Sequence, residues 1–84
     1  MNKIIIYTKT TCPYCIEAKA LLNNKGQVYQ EIKIDNNESL RKEMIVKANG
    51  RMTVPQIFIN DIHIGGCDDL HKLEREGKLD KILG

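Results

Sequence analysis

The sequence predicts an α/β fold in which a four-stranded mixed sheet carries helices on both faces. Short apolar runs alternate with stretches whose apolar residues recur at helical spacing, in the order β-α-β-α-β-β-α. A helix joins the first two strands, which favours a parallel pair with a right-handed crossover. The turn residues Asn60 and Asp61 separate the last two strands, which favours an antiparallel hairpin.

The first strand and the first helix are predicted from residues 3–8 and 13–25. Residues 3–8 form an apolar, β-rich run that is too short for a helix. Pro13 suits the first position of a helix, and Gly26 suits the residue that ends one. Between them, one helical face carries Ala18, Leu21 and Leu22.

The second strand and the second helix follow in residues 28–34 and 35–50. The strand alternates, and one of its sides is predicted to carry Val28, Ile32 and Ile34. The segment from Asp35 to Glu38 resembles a capping box, so we expect the helix to open there and to end at Gly50. Its apolar positions are spaced by four and comprise Leu40, Met44 and Ala48.

The remaining chain predicts a hairpin and a third helix. The hairpin strands are residues 56–60 and 62–64. We expect Cys67 or Asp68 to cap the third helix, which carries Leu70 and Leu73 and ends at Gly77. A last amphipathic turn or two is predicted from Leu79, Ile82 and Leu83.

Length and composition predict one small intracellular domain, residues 1–84. A net charge of +2 is too small to predict nucleic acid or an anionic membrane as a partner. The longest apolar run, residues 4–7, is shorter than a transmembrane helix of ~20 residues or a signal-peptide core of ~7–15. We therefore expect a cytoplasmic protein, in which a close cysteine pair indicates metal or redox chemistry.

The strongest chemical signal is the pair Cys12 and Cys15, separated by Pro13 and Tyr14. The pair follows a predicted strand and opens a predicted helix. Free backbone N–H groups and the positive end of the helix dipole lie at such a position, so we expect a thiolate at Cys12 to be stabilised there. Cys15 lies one turn further in, where we expect an ordinary pKa. This asymmetry predicts that Cys12 attacks and Cys15 resolves.

Three other readings of the cysteines compete with redox chemistry. The pair can be an inert part of the core. A zinc site can be built from Cys12, Cys15, Cys67 and His71, although the gap of 51 residues between Cys15 and Cys67 is long. An iron–sulfur site would need thiolates from elsewhere, such as a second subunit. Cys67 also precedes a predicted helix, so we expect a lowered pKa for its thiol.

Three motifs together resemble the glutaredoxin family, and most closely its small bacterial dithiol type. They are residues 7–15, 53–59 and 64–70, and they follow the order and spacing of that family. The resemblance implies a thioredoxin-like fold and a glutathione-dependent thiol–disulfide oxidoreductase. Thioredoxin itself is disfavoured because the chain has no Trp and carries Pro13-Tyr14 between its cysteines. Monothiol members have Ser where this chain has Cys15.

The resemblance also implies a binding site for glutathione, a peptide with two carboxylates and one ammonium group. The glutathione-binding residues it implies are Lys9, Cys12, Tyr14, Thr53, Val54, Pro55, Gly66, Asp68 and Asp69. Lys9 is assigned to the glycine carboxylate, Asp68 to a backbone contact and Asp69 to the ammonium. A cis bond between Val54 and Pro55 is implied beside the cysteines. An alternative within the same chemistry is a redoxin reduced directly by thioredoxin reductase.

Cofactor and partner expectations follow from the same resemblance. Glutathione is a co-substrate, and neither a metal nor a tightly bound cofactor is expected. The expected protein partners are glutathionylated or disulfide-containing proteins, with ribonucleotide reductase as a candidate. We expect a monomer that binds neither nucleic acid nor membrane.

Overall fold

The predicted order of strands and helices is confirmed in a computed structural model, which describes residues 2–84. A short fourth helix ends the chain where one or two amphipathic turns were expected. The elements are β1 (Ile4–Thr8), α1 (Pro13–Asn24), β2 (Gln30–Lys33), α2 (Glu38–Lys47), β3 (Gln56–Ile59), β4 (Ile62–Gly65), α3 (Cys67–Arg75) and α4 (Lys78–Leu83). None of the helices in residues 2–84 is both long enough and apolar enough to cross a membrane.

The four strands form one mixed sheet in the order β2-β1-β3-β4. The β1 and β2 strands are parallel, with Tyr7 beside Ile32. The β1 and β3 strands are antiparallel, as are β3 and β4. This is the predicted pairing: a helical crossover joins the parallel strands, and the Asn60-Asp61 turn joins the hairpin. The arrangement brings the end of β1 and the start of β3 side by side.

Helices cover both faces of the sheet because side chains alternate along β1 and β3. Apolar residues of one face pack with α1, α3 and α4, in a cluster of Ile4, Ile6, Ala18, Leu22, Ile57, Ile59, Cys67, Leu70 and Leu79. The other face packs with α2 through Tyr7, Ile34, Met44, Ala48 and Phe58. The N-termini of α1 and α3 therefore belong to the same side of the sheet.

The prediction for the second strand was wrong at its start. Val28 is 75% exposed, whereas the strand begins at Gln30. The register explains the difference: Gln30 already pairs with Ile5 at the beginning of β1. Val28 therefore lies before the ladder, and an alternating pattern alone does not show where the neighbouring strand ends.

Two helix caps also differ from the prediction. Asn37, not Asp35, caps α2, because its side chain accepts a hydrogen bond from the Leu40 N–H at 3.0 Å. The N-cap of α3 is Gly66, so neither Cys67 nor Asp68 caps that helix. In both cases several polar residues precede the helix, and contacts to distant parts of the chain decide which one becomes the cap.

Candidate active site

Cys12 is the N-cap of α1 and lies where β1 ends. Its backbone is extended, and Pro13 takes the first helical position, which needs no N–H donor. The Cys15 backbone N–H points at Cys12 Sγ, with the nitrogen 3.2 Å away. The same sulfur lies 3.9 Å from the Val54 carbonyl oxygen and is 8% exposed. The sulfur thus replaces the oxygen of an ordinary N-cap side chain and meets the positive end of the helix dipole.

Cys15 lies one turn further into α1 and is 1% exposed. Burial, followed by the hydrogen bond with the Cys12 side chain, raises the pKa of its thiol to about 12. A backbone hydrogen bond from Lys9 opposes that shift. The expectation of an ordinary pKa for Cys15 was therefore wrong, because sequence position does not report desolvation. At neutral pH Cys15 is a protonated thiol beside the more accessible sulfur of Cys12.

A groove of about 310 Å³ lies between the N-terminus of α3 and the segment that enters β3. Seven of the predicted glutathione-binding residues line it: Tyr14, Thr53, Val54, Pro55, Gly66, Asp68 and Asp69. The bond between Val54 and Pro55 is cis, as the resemblance implied. Because Cys12 Sγ lies near the Val54 carbonyl, this largely buried thiol is adjacent to a residue that lines the groove.

Asp69 occupies one end of the groove and is already engaged by the protein. Its carboxylate accepts hydrogen bonds from the Gly66 N–H at 2.9 Å and from Arg51 Nη1 at 2.8 Å. The Arg51 guanidinium, followed by the Gly66 N–H, lowers the pKa of Asp69. Asp69 is the third residue of α3, and its side chain accepts the N–H of the cap residue Gly66. The neighbouring Asp68 is exposed at the groove.

Arg51 is a groove residue that the sequence reasoning missed. Its side chain reaches from the loop before β3 to the start of α3 and closes the ion pair with Asp69. A side chain on Gly65, whose φ is +118°, would collide with Asp69 and approach Arg51. The available sequence signal was a basic residue two positions before Thr53.

Lys9 is exposed and does not line the main groove. It borders a second concave region of about 380 Å³ with Asp35 and Arg41. Asp35 accepts a hydrogen bond from the Thr10 N–H at 2.9 Å, and this contact lowers the pKa of Asp35. The contact connects the loop before Cys12 to the loop before α2. Lys9 is thus adjacent to the cysteine pair through its backbone and borders the second concave region.

Cys67 is the first residue of α3 and is 5% exposed. Burial, followed by the negative charges of Glu17 and Asp68, raises the pKa of its thiol to about 11. The expectation of a lowered pKa was wrong, because a helix start does not compensate for burial beside carboxylates. His71 Nδ1 lies 3.3 Å from Cys67 Sγ. Within residues 2–84, no three His, Cys, Asp or Glu side chains converge as metal ligands, so the zinc set of four is not assembled.

The sheet topology and the site together define a dithiol protein of the thioredoxin fold. The site has a helix-capping cysteine, a second buried cysteine in the next turn, and a neighbouring cis-proline. The glutaredoxin family model matches residues 4–64. Glutaredoxin 3 of Escherichia coli K12 is 59% identical over 83 residues, which cover 99% of each chain. The chain therefore belongs to the glutaredoxin family and is a glutathione-dependent thiol–disulfide oxidoreductase.

Solved structures agree with this assignment. A glutaredoxin from Brucella melitensis is 54% identical, with a TM-score of 0.84, over 96% of this chain and 87% of its own. A buckwheat glutaredoxin in complex with glutathione is 36% identical, with a TM-score of 0.86, over 98% of this chain and 76% of its own. The similarity covers both the cysteine pair and the groove.

Proposed function

We propose that Cys12 is the attacking thiol and Cys15 the resolving thiol of the enzyme, and that the groove beside them holds glutathione. The observation that carries this proposal is the position of Cys12 Sγ. It accepts an N–H from the first turn of α1 at 3.2 Å and lies at the edge of the groove that most of the predicted ligand residues line. A sulfur anion is stabilised at that position and faces the space where a bound disulfide would lie.

Deglutathionylation then proceeds in two exchanges. The Cys12 thiolate attacks the glutathione sulfur of a protein–glutathione mixed disulfide, and the protein leaves as a thiolate that takes up a proton. Glutathione is now joined to Cys12. A second glutathione thiolate attacks the glutathione sulfur of that bond, which releases oxidised glutathione and restores the Cys12 thiolate. Stabilisation of Cys12 as an anion makes it a good leaving group in this second step.

Reduction of a protein disulfide needs the second cysteine. The Cys12 thiolate attacks one sulfur of the protein disulfide, forms a mixed disulfide with it, and releases the other sulfur as a thiolate that takes up a proton. Cys15 then attacks the Cys12 sulfur, which forms the Cys12–Cys15 disulfide and expels the protein sulfur that was bound to Cys12. The high pKa of Cys15 means that its proton must leave during this step, and the departing protein thiolate is a suitable acceptor. Two molecules of glutathione then reduce the disulfide and become oxidised glutathione.

The groove offers groups of both charge signs to glutathione. Backbone N–H groups at the start of α3 suit the γ-glutamyl carboxylate. Asp68 is exposed beside them, and Asp69 is held by Arg51. Val54 precedes Pro55, and its backbone is available to pair with an extended peptide. Tyr14, which is 61% exposed, supplies an aromatic wall, and we assign Lys9 to the glycine carboxylate.

The wider setting is part of the same proposal. Residues 1–84 act as one domain and as a monomer in the cytoplasm, with no tightly bound cofactor. The protein substrates are glutathionylated or disulfide-containing proteins, with ribonucleotide reductase as a candidate.

The decisive experiment compares two substrates in the Cys15→Ser variant. We expect this variant to keep deglutathionylation of a glutathionylated peptide and to lose reduction of a protein disulfide, because only the second reaction needs a resolving thiol. The measurement is NADPH consumption coupled through glutathione reductase. Equal loss of both activities would contradict the division of roles.

The reductant is tested with the unaltered protein. Turnover with glutathione supports the assigned groove, whereas turnover with thioredoxin reductase and NADPH but without glutathione would refute it. Both reductants are offered the same glutathionylated peptide and the same protein disulfide.

A further inference from the structure

Three polar side chains connect the groove to the opposite face of the sheet. His63 Nε2 lies 2.7 Å from Gln56 Oε1. Gln56 Nε2 donates to the Thr53 carbonyl oxygen at 3.0 Å and to Thr53 Oγ1 at 3.3 Å. Gln56 is completely buried. Its amide cannot bond to bulk water, and these contacts supply its hydrogen-bond partners. The proposed thiol exchange uses neither His63 nor Gln56.

The chemistry of the groups fixes the direction of these hydrogen bonds. The Thr53 carbonyl can only accept, so the nitrogen of the Gln56 amide must face Thr53 and its oxygen must face His63. His63 Nε2 must then carry the hydrogen that it donates to Gln56. The imidazole is held in place by stacking on Phe58, with ring centroids 5.0 Å apart.

Hydrogen-bond donation runs in the same direction at Thr53. Its hydroxyl oxygen accepts from Gln56, which leaves the hydroxyl hydrogen free to point away from Gln56. Thr53 is exposed and lines the groove. Successive donors that point the same way polarise and strengthen one another. The Thr53 hydroxyl hydrogen is therefore available for donation to a ligand in the groove.

We propose that His63 and Gln56 are positioning residues that present the Thr53 hydroxyl as a hydrogen-bond donor to a carboxylate or carbonyl oxygen of bound glutathione. The inference rests on the groove being the glutathione site, as proposed above. It adds that the specificity for an acceptor at Thr53 is set from the far face of the sheet, by side chains that do not touch the ligand.

The hydrogen position at His63 is a direct test that is independent of turnover. Long-range ¹⁵N–¹H correlation spectra of the protein at pH 7.5 are expected to show the Nε2–H tautomer. Burial lowers the pKa of His63, so the neutral ring is the form observed at that pH. An Nδ1–H tautomer would overturn the proposal.

Kinetic variants test the connection to the ligand. Gln56→Glu is nearly isosteric, but its carboxylate cannot donate to Thr53 and would draw the hydroxyl hydrogen toward itself. We expect KM for a glutathionylated peptide to rise about fivefold, the effect of one lost hydrogen bond, with kcat within twofold. His63→Phe keeps a ring on Phe58 and removes the donor, so a smaller rise in KM is expected. The matched control, His71→Phe, should leave KM within twofold.

A double-mutant cycle separates positioning through the hydroxyl from general damage. Thr53→Val removes the hydroxyl, and in that background His63→Phe should add no further rise in KM, while in Thr53→Ser it should act as in the parent. Additive effects, or a fall in kcat at constant KM, would overturn the proposal. If Gln56→Glu fails to fold, the double-mutant cycle and the tautomer of His63 in the ¹⁵N–¹H spectra still test the proposal. Failure of the glutathione site is a separate result, in which the parent protein itself does not turn over with glutathione.

Discussion

The protein places one cysteine at the start of α1 and another at the start of α3, and the two helix starts differ in what occupies them. At α1 the cap is the Cys12 sulfur, which accepts the Cys15 N–H. At α3 the cap is Gly66, which has no side chain to accept an N–H; its own N–H donates to the Asp69 carboxylate, and Cys67 follows in a buried position near Glu17. The difference is that a cysteine at the start of a helix receives a backbone N–H where it is the cap residue, as Cys12 is, and not where it follows the cap, as Cys67 does.

The largest expected difference between the two positions is in turnover. Cys12→Ser should lower deglutathionylation by at least about 10³-fold, because the nucleophile is lost and no neighbouring thiol replaces it. Cys67→Ser is the matched control and should retain activity within a few-fold. The coupled glutathione reductase assay measures the turnover of both variants. Substantial activity in Cys12→Ser would contradict the assignment of Cys12 as the attacking thiol.

The second expected difference is in chemical reactivity. With a pKa of about 11, Cys67 is a thiolate in about one molecule in 10⁴ at pH 7, and its alkylation should accelerate about tenfold per pH unit up to that pKa. Cys12 should react with iodoacetamide on the order of 10–100-fold faster at pH 7. Mass spectrometry of timed, quenched samples measures the ratio.

The unfolded protein supplies the control for this measurement. In concentrated urea both helix starts are lost, so Cys12 and Cys67 should react at similar rates. If Cys67 is modified first in the folded protein, the roles assigned to the two helix starts are reversed.

The sequence predicted the elements that depend on local pattern and failed where distant contacts decide. The strands around Ile6 and Ile57 were predictable because apolar runs of their length suit a buried sheet. The start of β2 was not, because it depends on where its parallel partner β1 begins. Likewise, the raised pKa of Cys15 was not predictable, because burial causes it and burial depends on how the whole chain packs.

The candidate site shows the same division. Residues within a motif, such as Tyr14 and Pro55, were predicted from the resemblance and lie together at the groove. Arg51 was missed because its partner Asp69 is 18 positions away, and the β3–β4 hairpin brings the two together. The ammonium role given to Asp69 was assigned without knowing that the carboxylate already accepts from Arg51 and Gly66.

The third expected effect concerns Lys9, on the α1 side, and its contribution to the use of glutathione. Lys9→Ala should weaken the use of glutathione by about 1 kcal/mol, as for one charge-assisted contact. Lys42→Ala removes the same charge from an exposed position on α2 and serves as the control. The measurement is KM for glutathione. Equal effects in both variants would show that only net charge matters and would remove Lys9 from the site.

The smallest expected effect concerns the stability of the α3 side, where the Asp69 carboxylate accepts the Gly66 N–H. Arg51 and the Gly66 N–H lower the pKa of Asp69, so its charged form stabilises the folded state above the unfolded-state pKa of ~3.9. That contribution disappears as the pH falls through the folded-state pKa. Asp69→Asn should therefore lower the free energy of unfolding by less than about 1 kcal/mol at pH 7, because the pair is half exposed and screened by solvent. Urea titrations should show this difference shrinking as the pH falls below the unfolded-state pKa, because the parent carboxyl then takes up a proton more readily in the unfolded state than in the folded state and loses its advantage. A difference that stays constant from pH 7 to pH 3 would mean that the amide disturbs packing and that the charge of Asp69 is not what holds the start of α3.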